Sequence, residues 1–259
     1  MRQPIDLRHT DASRRRSAAA VAVRALHRVF VADGVYLITL LLTLDGALAL
    51  LQGHIGQTQD YPFIPWNLFL ACVPYGVSLC AAAFHRRFPR RAWALLPLYA
   101  LWLLFLPNAP YLLTDFIHLR DNTTAQIWFD TTLLTIYALT GYMLAIVSLA
   151  IMHRLVRDIF GWRVGWAFVL ASLVLAGVGI HLGRVQRYNS WDVATHPQAL
   201  LEDILVPLVH PLMHPHTAFD ALRYATILLV GYVAFLALRG KEARAIIVMG
   251  RDVVTGRDA

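Results

Sequence analysis

The chain has 259 residues, of which 58% are apolar and only 15% are charged, whereas roughly a quarter of the residues are charged in an average soluble domain. This composition, with a mean hydropathy of +0.54, excludes an ordinary soluble domain and predicts several membrane-spanning helices. The net charge of +7 does not indicate nucleic-acid binding, because almost all basic residues are arginines in short clusters between apolar segments.

Six apolar segments approach the roughly 20 residues that a helix needs to cross a bilayer. The predicted spans are residues 34–51, 66–84, 92–106, 127–152, 164–182 and 218–238. Before them, residues 1–33 are polar and Arg-rich and are expected to end in a short amphipathic helix at the membrane surface. We therefore predict an all-α membrane protein in three parts: the basic segment 1–33, a six-helix membrane domain at 34–239, and a basic tail at 240–259.

The third span is interrupted by Pro107, Asn108 and Pro110. Prolines and an asparagine at membrane depth are tolerated only where protein or a wet cavity surrounds them. We predict a broken helix or a re-entrant turn at 107–110, after which a short helix resumes with Pro110 in its first turn.

The fifth span and the segment that follows it have contrasting compositions. Ala176, Gly177 and Gly179 are small residues that permit close packing against another helix. Residues 197–216 are rich in proline and histidine and are expected to form an outlying segment at the membrane interface.

Basic residues are distributed unequally between the two sides of the membrane. Nineteen of the 23 lie on one side if the N-terminus is cytoplasmic, and the others are Arg120, Arg184, Arg187 and Arg223. Cytoplasmic loops carry an excess of Lys and Arg, so this bias predicts that both termini are cytoplasmic.

With that orientation, many polar residues fall at the outer ends of the spans or just beyond them. They are Asn67, Asn108, Asp115, His118, Asp130, His181, Arg184, Arg187, Asn189 and Asp192. The cytoplasmic loops contain no comparable mixture. Any binding site or chemistry is therefore expected at the outer, periplasmic face.

The same stretches carry four specific motifs. They are WNLFLAC (Trp66–Cys72), FLPNAPYLLTDFIHL (Phe105–Leu119), WFD (Trp128–Asp130) and GRVQRYNSWD (Gly183–Asp192). With these motifs the chain resembles, over about residues 35–240, a bacterial membrane-protein family catalogued as domain-of-unknown-function family one-three-six-one. The resemblance implies a polytopic protein of the bacterial cytoplasmic (inner) membrane, and it supplies no activity, substrate or catalytic residue.

One hypothesis is a membrane enzyme. Asp115 and His118 are three residues apart and share a helix face. With Asp130, His181 and Asp192 they form a carboxylate and imidazole set suited to acid–base catalysis, or to a divalent metal such as zinc held by Asp115, His118 and His181. Such a metal activates water against an ester or phosphoester, which suggests a lipid or envelope precursor as substrate.

A second hypothesis is ligand binding without chemistry. Arg184 and Arg187 are able to hold a lipid phosphate or a carboxylated substrate through bidentate hydrogen bonds. The residues predicted to contact such a ligand are Asn67, Asn108, Tyr111, Arg120, Arg184, Arg187, Asn189 and Trp191. Membrane lipids are the expected partners.

Two further interpretations stay open. The outer arginines and aspartates are equally suited to an ion-pair network that only fastens loops together in a structural or assembly subunit, because buried charges need partners. Asp45, in the middle of the first span, suggests a relay in a small transporter. The inner halves of the spans contain few other polar residues, which weighs against transport.

Overall fold

The computed structural model describes the backbone of residues 21, 23–24, 27–55, 61–121 and 127–255. It describes the side chains of the same residues except 55, 118–121 and 241–255. Within these ranges every regular element is helical, which confirms the predicted all-α class.

Nine α-helices of the described ranges are numbered in chain order, beginning after the helical residues 27–32. They are α1 (Val35–Ile55), α2 (Phe63–Arg87), α3 (Leu96–Phe105), α4 (Asn108–Tyr111), α5 (Ile127–Phe160), α6 (Trp162–His181), α7 (Asp192–Thr195), α8 (Pro197–Val209) and α9 (Pro215–Thr255). Three segments have other helical forms: 3₁₀ helices at Ala92–Leu95 and Leu112–Asp121, and a π-helical turn at Leu182–Gln186.

Six helical stretches are long and apolar enough to cross a membrane, as predicted. They are Val35–His54, Phe63–Arg87, Ala92–Ile117, Ile127–Phe160, Trp162–Gln186 and Pro215–Gly240. Most extend beyond the predicted bounds because a helix continues through polar residues wherever its backbone hydrogen bonds continue. The fourth span, for example, runs past Arg154 and Arg157 to Phe160.

The fourth span, α5, is the central helix of the bundle. It packs against α1, α2, α6 and the 3₁₀ helix Leu112–Asp121. Leu144, Ile146 and Met152 on α5 are fully buried, and a helix that is apolar all round is typical of such a central position. The other spans surround α5, and each of them has one exposed side.

Small residues bring α6 into close contact with its neighbours. A Cβ atom at Gly177 would lie 2.3 Å from the carbonyl oxygen of Ala221 in α9, and one at Gly179 would lie 2.4 Å from Cγ of Pro107. The prediction that this part of the fifth span allows close packing is confirmed.

The proline break in the third span is a broken helix. Leu106 and Pro107 keep right-handed helical dihedral angles between α3 and α4, so the chain continues in a helical path and does not form a re-entrant turn. The break changes the hydrogen bonding: the Ala109 amide donates to Leu106, three residues back, at 3.2 Å. The carbonyl of Phe105 is thereby released from the helical ladder.

One end of the bundle is tied together by Asp33, which lies just before α1 and is 3% exposed. Its carboxylate forms an ion pair with Arg154 of α5 and lies 3.5 Å from Arg86 of α2. Arg239 of α9 donates to the adjacent carbonyl of Ala32 at 2.6 Å. Asp33 and the adjacent Ala32 therefore connect the ends of four spans, a role that was not predicted from the sequence.

Candidate functional site

A cavity of about 1000 Å³ lies at the other end of the bundle, where α2 begins and where α3 and α6 end. Its walls are mainly apolar side chains of α2, α3, α6 and α8. Its polar lining consists of Asn67, Asn108, Tyr111, Arg184, Arg187, Tyr188, Asn189 and Ser190. Six of the eight residues predicted to contact a ligand thus surround one cavity, and none of its described lining residues is acidic.

Helix α8 forms one wall of this cavity through Leu200 and Ile204. It is fastened to the loop after α6, because the Tyr188 hydroxyl donates to Asp203 Oδ2 at 3.0 Å. That hydrogen bond to a carboxylate raises the pKa of Tyr188 above its ordinary value. The segment 197–216, expected to be outlying, therefore supplies a helix that covers the site.

A side-chain hydrogen bond joins the FLPNAPYLLTDFIHL motif to the GRVQRYNSWD motif. Asn108 Nδ2 donates to Ser190 Oγ at 2.8 Å and also to the released carbonyl of Phe105 at 3.0 Å. Ser190 Oγ in turn lies 3.4 Å from the carbonyl oxygen of Leu104. Acceptors that the proline break leaves open are therefore satisfied by polar side chains, as the interior of a membrane protein requires.

Arg184, which lines the cavity, is held in place by its neighbours. Its guanidinium lies 3.8 Å from Asp115 Oδ1, 3.5 Å from the Tyr111 hydroxyl and 6.0 Å from the centre of the Tyr111 ring. Asp115 is 3% exposed, Asn67 is another of its neighbours, and its buried Oδ2 has no hydrogen-bond partner among the described residues. An ion pair of this kind was one of the sequence-based interpretations, and it fixes Arg184 close to the broken helix.

Arg187 has different surroundings. It follows the π-helical turn and adopts a left-handed backbone conformation with φ 62° and ψ 29°, and it is the one non-glycine residue with positive φ in the described part of the chain. Its side chain lines the cavity. Among the residues whose side chains are described, none forms a hydrogen bond or ion pair with Arg187.

Several residues of the enzyme hypothesis lie away from the cavity lining. His181 Nδ1 lies 2.8 Å from Asp220 and its Nε2 lies 3.1 Å from Thr217, so both ring nitrogens are engaged with α9. Asp192 accepts the Asn189 amide at 2.7 Å and thus organises its own loop. Asp130 is fully buried at the start of α5.

The metal hypothesis remains a prediction. The side chains of His118 and Arg120 lie outside the described residues. The side chains that are described contain no group of three or more His, Cys, Asp or Glu residues able to hold a metal ion. Of the three predicted ligands, Asp115 lies 3.8 Å from Arg184, whereas His181 contacts Asp220 and Thr217.

Trp191 and Asp45 also lie outside the cavity lining. The ring of Trp191 lies 6.3 Å from that of Trp66, which does line the cavity. Asp45 is fully buried between α1 and α5, near Tyr137 and Thr140.

Sequence reasoning missed several residues of this end of the bundle. Tyr188 and Ser190 were not predicted to line the site, although each is adjacent in sequence to a residue that was. Thr217 and Asp220 were missed as partners of His181 because they lie at the start of the last span, 36 and 39 residues away along the chain. The sequence TAFD (Thr217–Asp220) places two polar residues at the start of the last span, and this pattern could have indicated them.

Residues 66–236 match the protein family described as "Protein of unknown function (DUF1361)". The match covers more than half of the chain. The chain belongs to this family. No curated protein and no solved structure matches it. The matched region contains every lining residue of the cavity, from Trp66 to Ile204, whereas Asp33 and Asp45 precede it.

Proposed function

We propose that the protein binds an amphipathic ligand from the lipid phase in the cavity between α2, α3, α6 and α8. The observation that carries this proposal is the division of the cavity lining. Apolar side chains such as Leu101, Leu104 and Leu175 form most of its walls, and the asparagine, tyrosine, serine and arginine side chains come from the ends of the spans and the segments between them. Apolar walls with a few convergent polar groups are typical of small-molecule sites.

The size and position of the cavity support a lipid-like ligand. About 1000 Å³ is at the upper end of the range for ligand pockets. Leu101 lines the cavity and is 41% exposed, which supports a cavity that opens towards the bilayer. A molecule with a hydrocarbon chain and a polar head matches both parts of the lining.

The proposed location is the bacterial cytoplasmic membrane, with both termini in the cytoplasm and the cavity in the periplasmic leaflet. The arginines support this orientation, because Arg86, Arg154 and Arg239 cluster at the Asp33 end and basic residues are retained on the cytoplasmic side. A reporter fused after residue 259 that is active only in the cytoplasm is expected to be active. A reporter that functions only in the periplasm would contradict the orientation if it were active at the same position.

Binding is proposed ahead of catalysis because the acid–base candidates are dispersed. Asp115 forms an ion pair with a cavity arginine, whereas His181 and Asp192 are engaged in separate contacts. A purely structural network explains the Asp115–Arg184 pair, but it gives no role to Arg187 or to the apolar volume beside it. Transport has weaker support, since Asp45 does not line the cavity.

Filling the cavity should abolish ligand binding without unfolding the protein. Leu175→Trp places an indole inside the cavity, whereas Leu170→Trp on the same helix adds one to a side chain that is 50% exposed. The purified protein would be incubated with a lipid that carries a diazirine in its acyl chain, irradiated and mapped by mass spectrometry. We expect crosslinks on cavity-lining peptides of the wild type and of Leu170→Trp, and at least a tenfold loss in Leu175→Trp.

Two results would contradict the proposal. One is crosslinking of folded Leu175→Trp at the wild-type level, and the other is crosslinking that maps only to exposed faces of the spans. Far-ultraviolet circular dichroism and size-exclusion chromatography of all three proteins would show that each is folded.

A further inference from the structure

We infer that Arg184 and Arg187 bind the singly charged phosphodiester headgroup of a membrane lipid. The inference rests on the proposed function and names the chemical class of the ligand's head. Both arginines line the cavity, one on the π-helical turn and one immediately after it.

Charge balance supports a ligand with one negative charge. The described cavity lining contains two arginines and no acidic residue. Arg184 shares its charge with Asp115, 3.8 Å away, whereas Arg187 has no partner among the described side chains. Together these three groups carry one net positive charge. Arg187 is exposed, so water solvates its charge when the cavity is empty. A monoanion would pair with that charge and balance the site.

The backbone at Arg187 supports a role for its side chain. A left-handed residue after a helical turn is usually glycine, because a Cβ atom is unfavourable there. Arginine at this position carries a backbone cost, and strained positions of this kind cluster at ligand sites. The π-helical turn that precedes it is another feature found often at functional sites. The local structure therefore presents the Arg187 side chain to the cavity at the expense of backbone preference.

The shape of the lining favours a lipid phosphodiester over other anions. Inorganic phosphate would leave the apolar walls formed by Leu101, Leu104 and Leu175 without a partner. A carboxylate and a phosphodiester both offer two oxygens to arginine side chains. Burial beside apolar walls favours the neutral form of a carboxylic acid, whereas a phosphodiester stays ionised. A phosphomonoester with two negative charges would exceed the single net charge of the site.

The test compares headgroups on one delipidated preparation in neutral detergent. The probes are phosphatidylglycerol, phosphatidylcholine, oleic acid and soluble glycerol 3-phosphate, with bound lipid measured by native mass spectrometry. We expect the wild type to bind phosphatidylglycerol about tenfold more tightly than phosphatidylcholine, because the choline cation faces two arginines. Arg187→Gln is expected to remove that preference. Arg157→Gln, at the opposite end of the bundle and half exposed, should retain it.

Arg187→Gly separates binding from folding. This variant removes the guanidinium and relieves the left-handed backbone, so we expect the headgroup preference to disappear while the midpoint of thermal unfolding stays the same or rises. A variant that only weakened the structure would lower that midpoint as well.

Each remaining outcome has a defined meaning. Retention of the preference in both Arg187 variants would overturn the inference, as would oleic acid binding more tightly than phosphatidylglycerol. If glycerol 3-phosphate competed at the same concentration as the lipid, the ligand would be a soluble anion. That result would overturn the inference of a lipid headgroup. Lipid binding that is blocked by Leu175→Trp but shows no headgroup preference would overturn this inference and leave the proposed function standing.

Discussion

Gly177→Leu is expected to prevent α6 from packing against α9 and to lower the free energy of unfolding by more than about 3 kcal/mol. A Cβ atom at this position would lie 2.3 Å from the carbonyl oxygen and 2.8 Å from the Cα atom of Ala221. Both are backbone atoms, so the contact cannot be relieved by a side-chain rotation. The helices would have to move apart, and the contacts around Ala221 would be lost.

Gly76→Leu is the matched control for that substitution. Gly76 lies in the interior of α2, and a Cβ atom there would have no neighbour within 4 Å. Leucine is also the better helix former. Stability of both variants would be measured by SDS-induced unfolding in mixed micelles, followed by circular dichroism. Equal midpoints for Gly177→Leu and the wild type would contradict the close packing of α6 and α9.

Asp33→Ala is expected to produce the second large loss of stability, of about 3 kcal/mol. The Asp33 side chain is 5% exposed, and its removal leaves Arg154, whose side chain is 33% exposed, without its ion pair. Arg86 is 51% exposed and loses a weaker contact at 3.5 Å. The loss of that contact adds little to the loss of stability. The same SDS titration measures the loss.

Asp158→Ala provides the comparison at the same end of the bundle. Asp158 is 56% exposed and pairs with the neighbouring Arg157 at 3.4 Å, so its removal should cost less than about 1 kcal/mol. If the two aspartate variants lost similar amounts, Asp33 would not be the residue that connects these helices. Charge-conserving Asp33→Glu tests the geometry, because its longer side chain displaces the carboxylate from Arg154.

The sequence was sufficient to predict the spans and much of the polar site. Apolar length identified six helices, and their alternating direction placed Asn67, Asn108 and Arg184 at one end of the bundle. Pro107 indicated the broken helix, because a proline lacks a backbone donor and can be identified in the sequence. The spans, their polar ends and the proline break could be predicted because each depends only on the order of residues along the chain.

The partners of individual side chains were harder to predict. Whether His181 faces the cavity or Asp220 depends on the rotation of α6 about its axis, and a helix that is apolar on nearly every side contains little periodicity from which to infer that rotation. Asp33 was missed because its partners lie 53 and 121 residues away along the chain. The 197–216 segment was expected to be outlying because of its prolines, yet Pro197 begins α8 and Pro207 lies near its end, so a regular helix forms between them.

The length of the central helix has a consequence for how the protein matches its bilayer. Asp130 and Arg154 are 24 residues apart on α5, which corresponds to about 36 Å along the axis. That distance exceeds the hydrocarbon thickness of about 30 Å by a few ångströms, so both residues lie outside the hydrocarbon core whether the helix is upright or tilted by the usual 20° or so. Hydrophobic mismatch should therefore be small in a bilayer of ordinary thickness. In a markedly thicker bilayer, one of these two charges would be drawn into the hydrocarbon core.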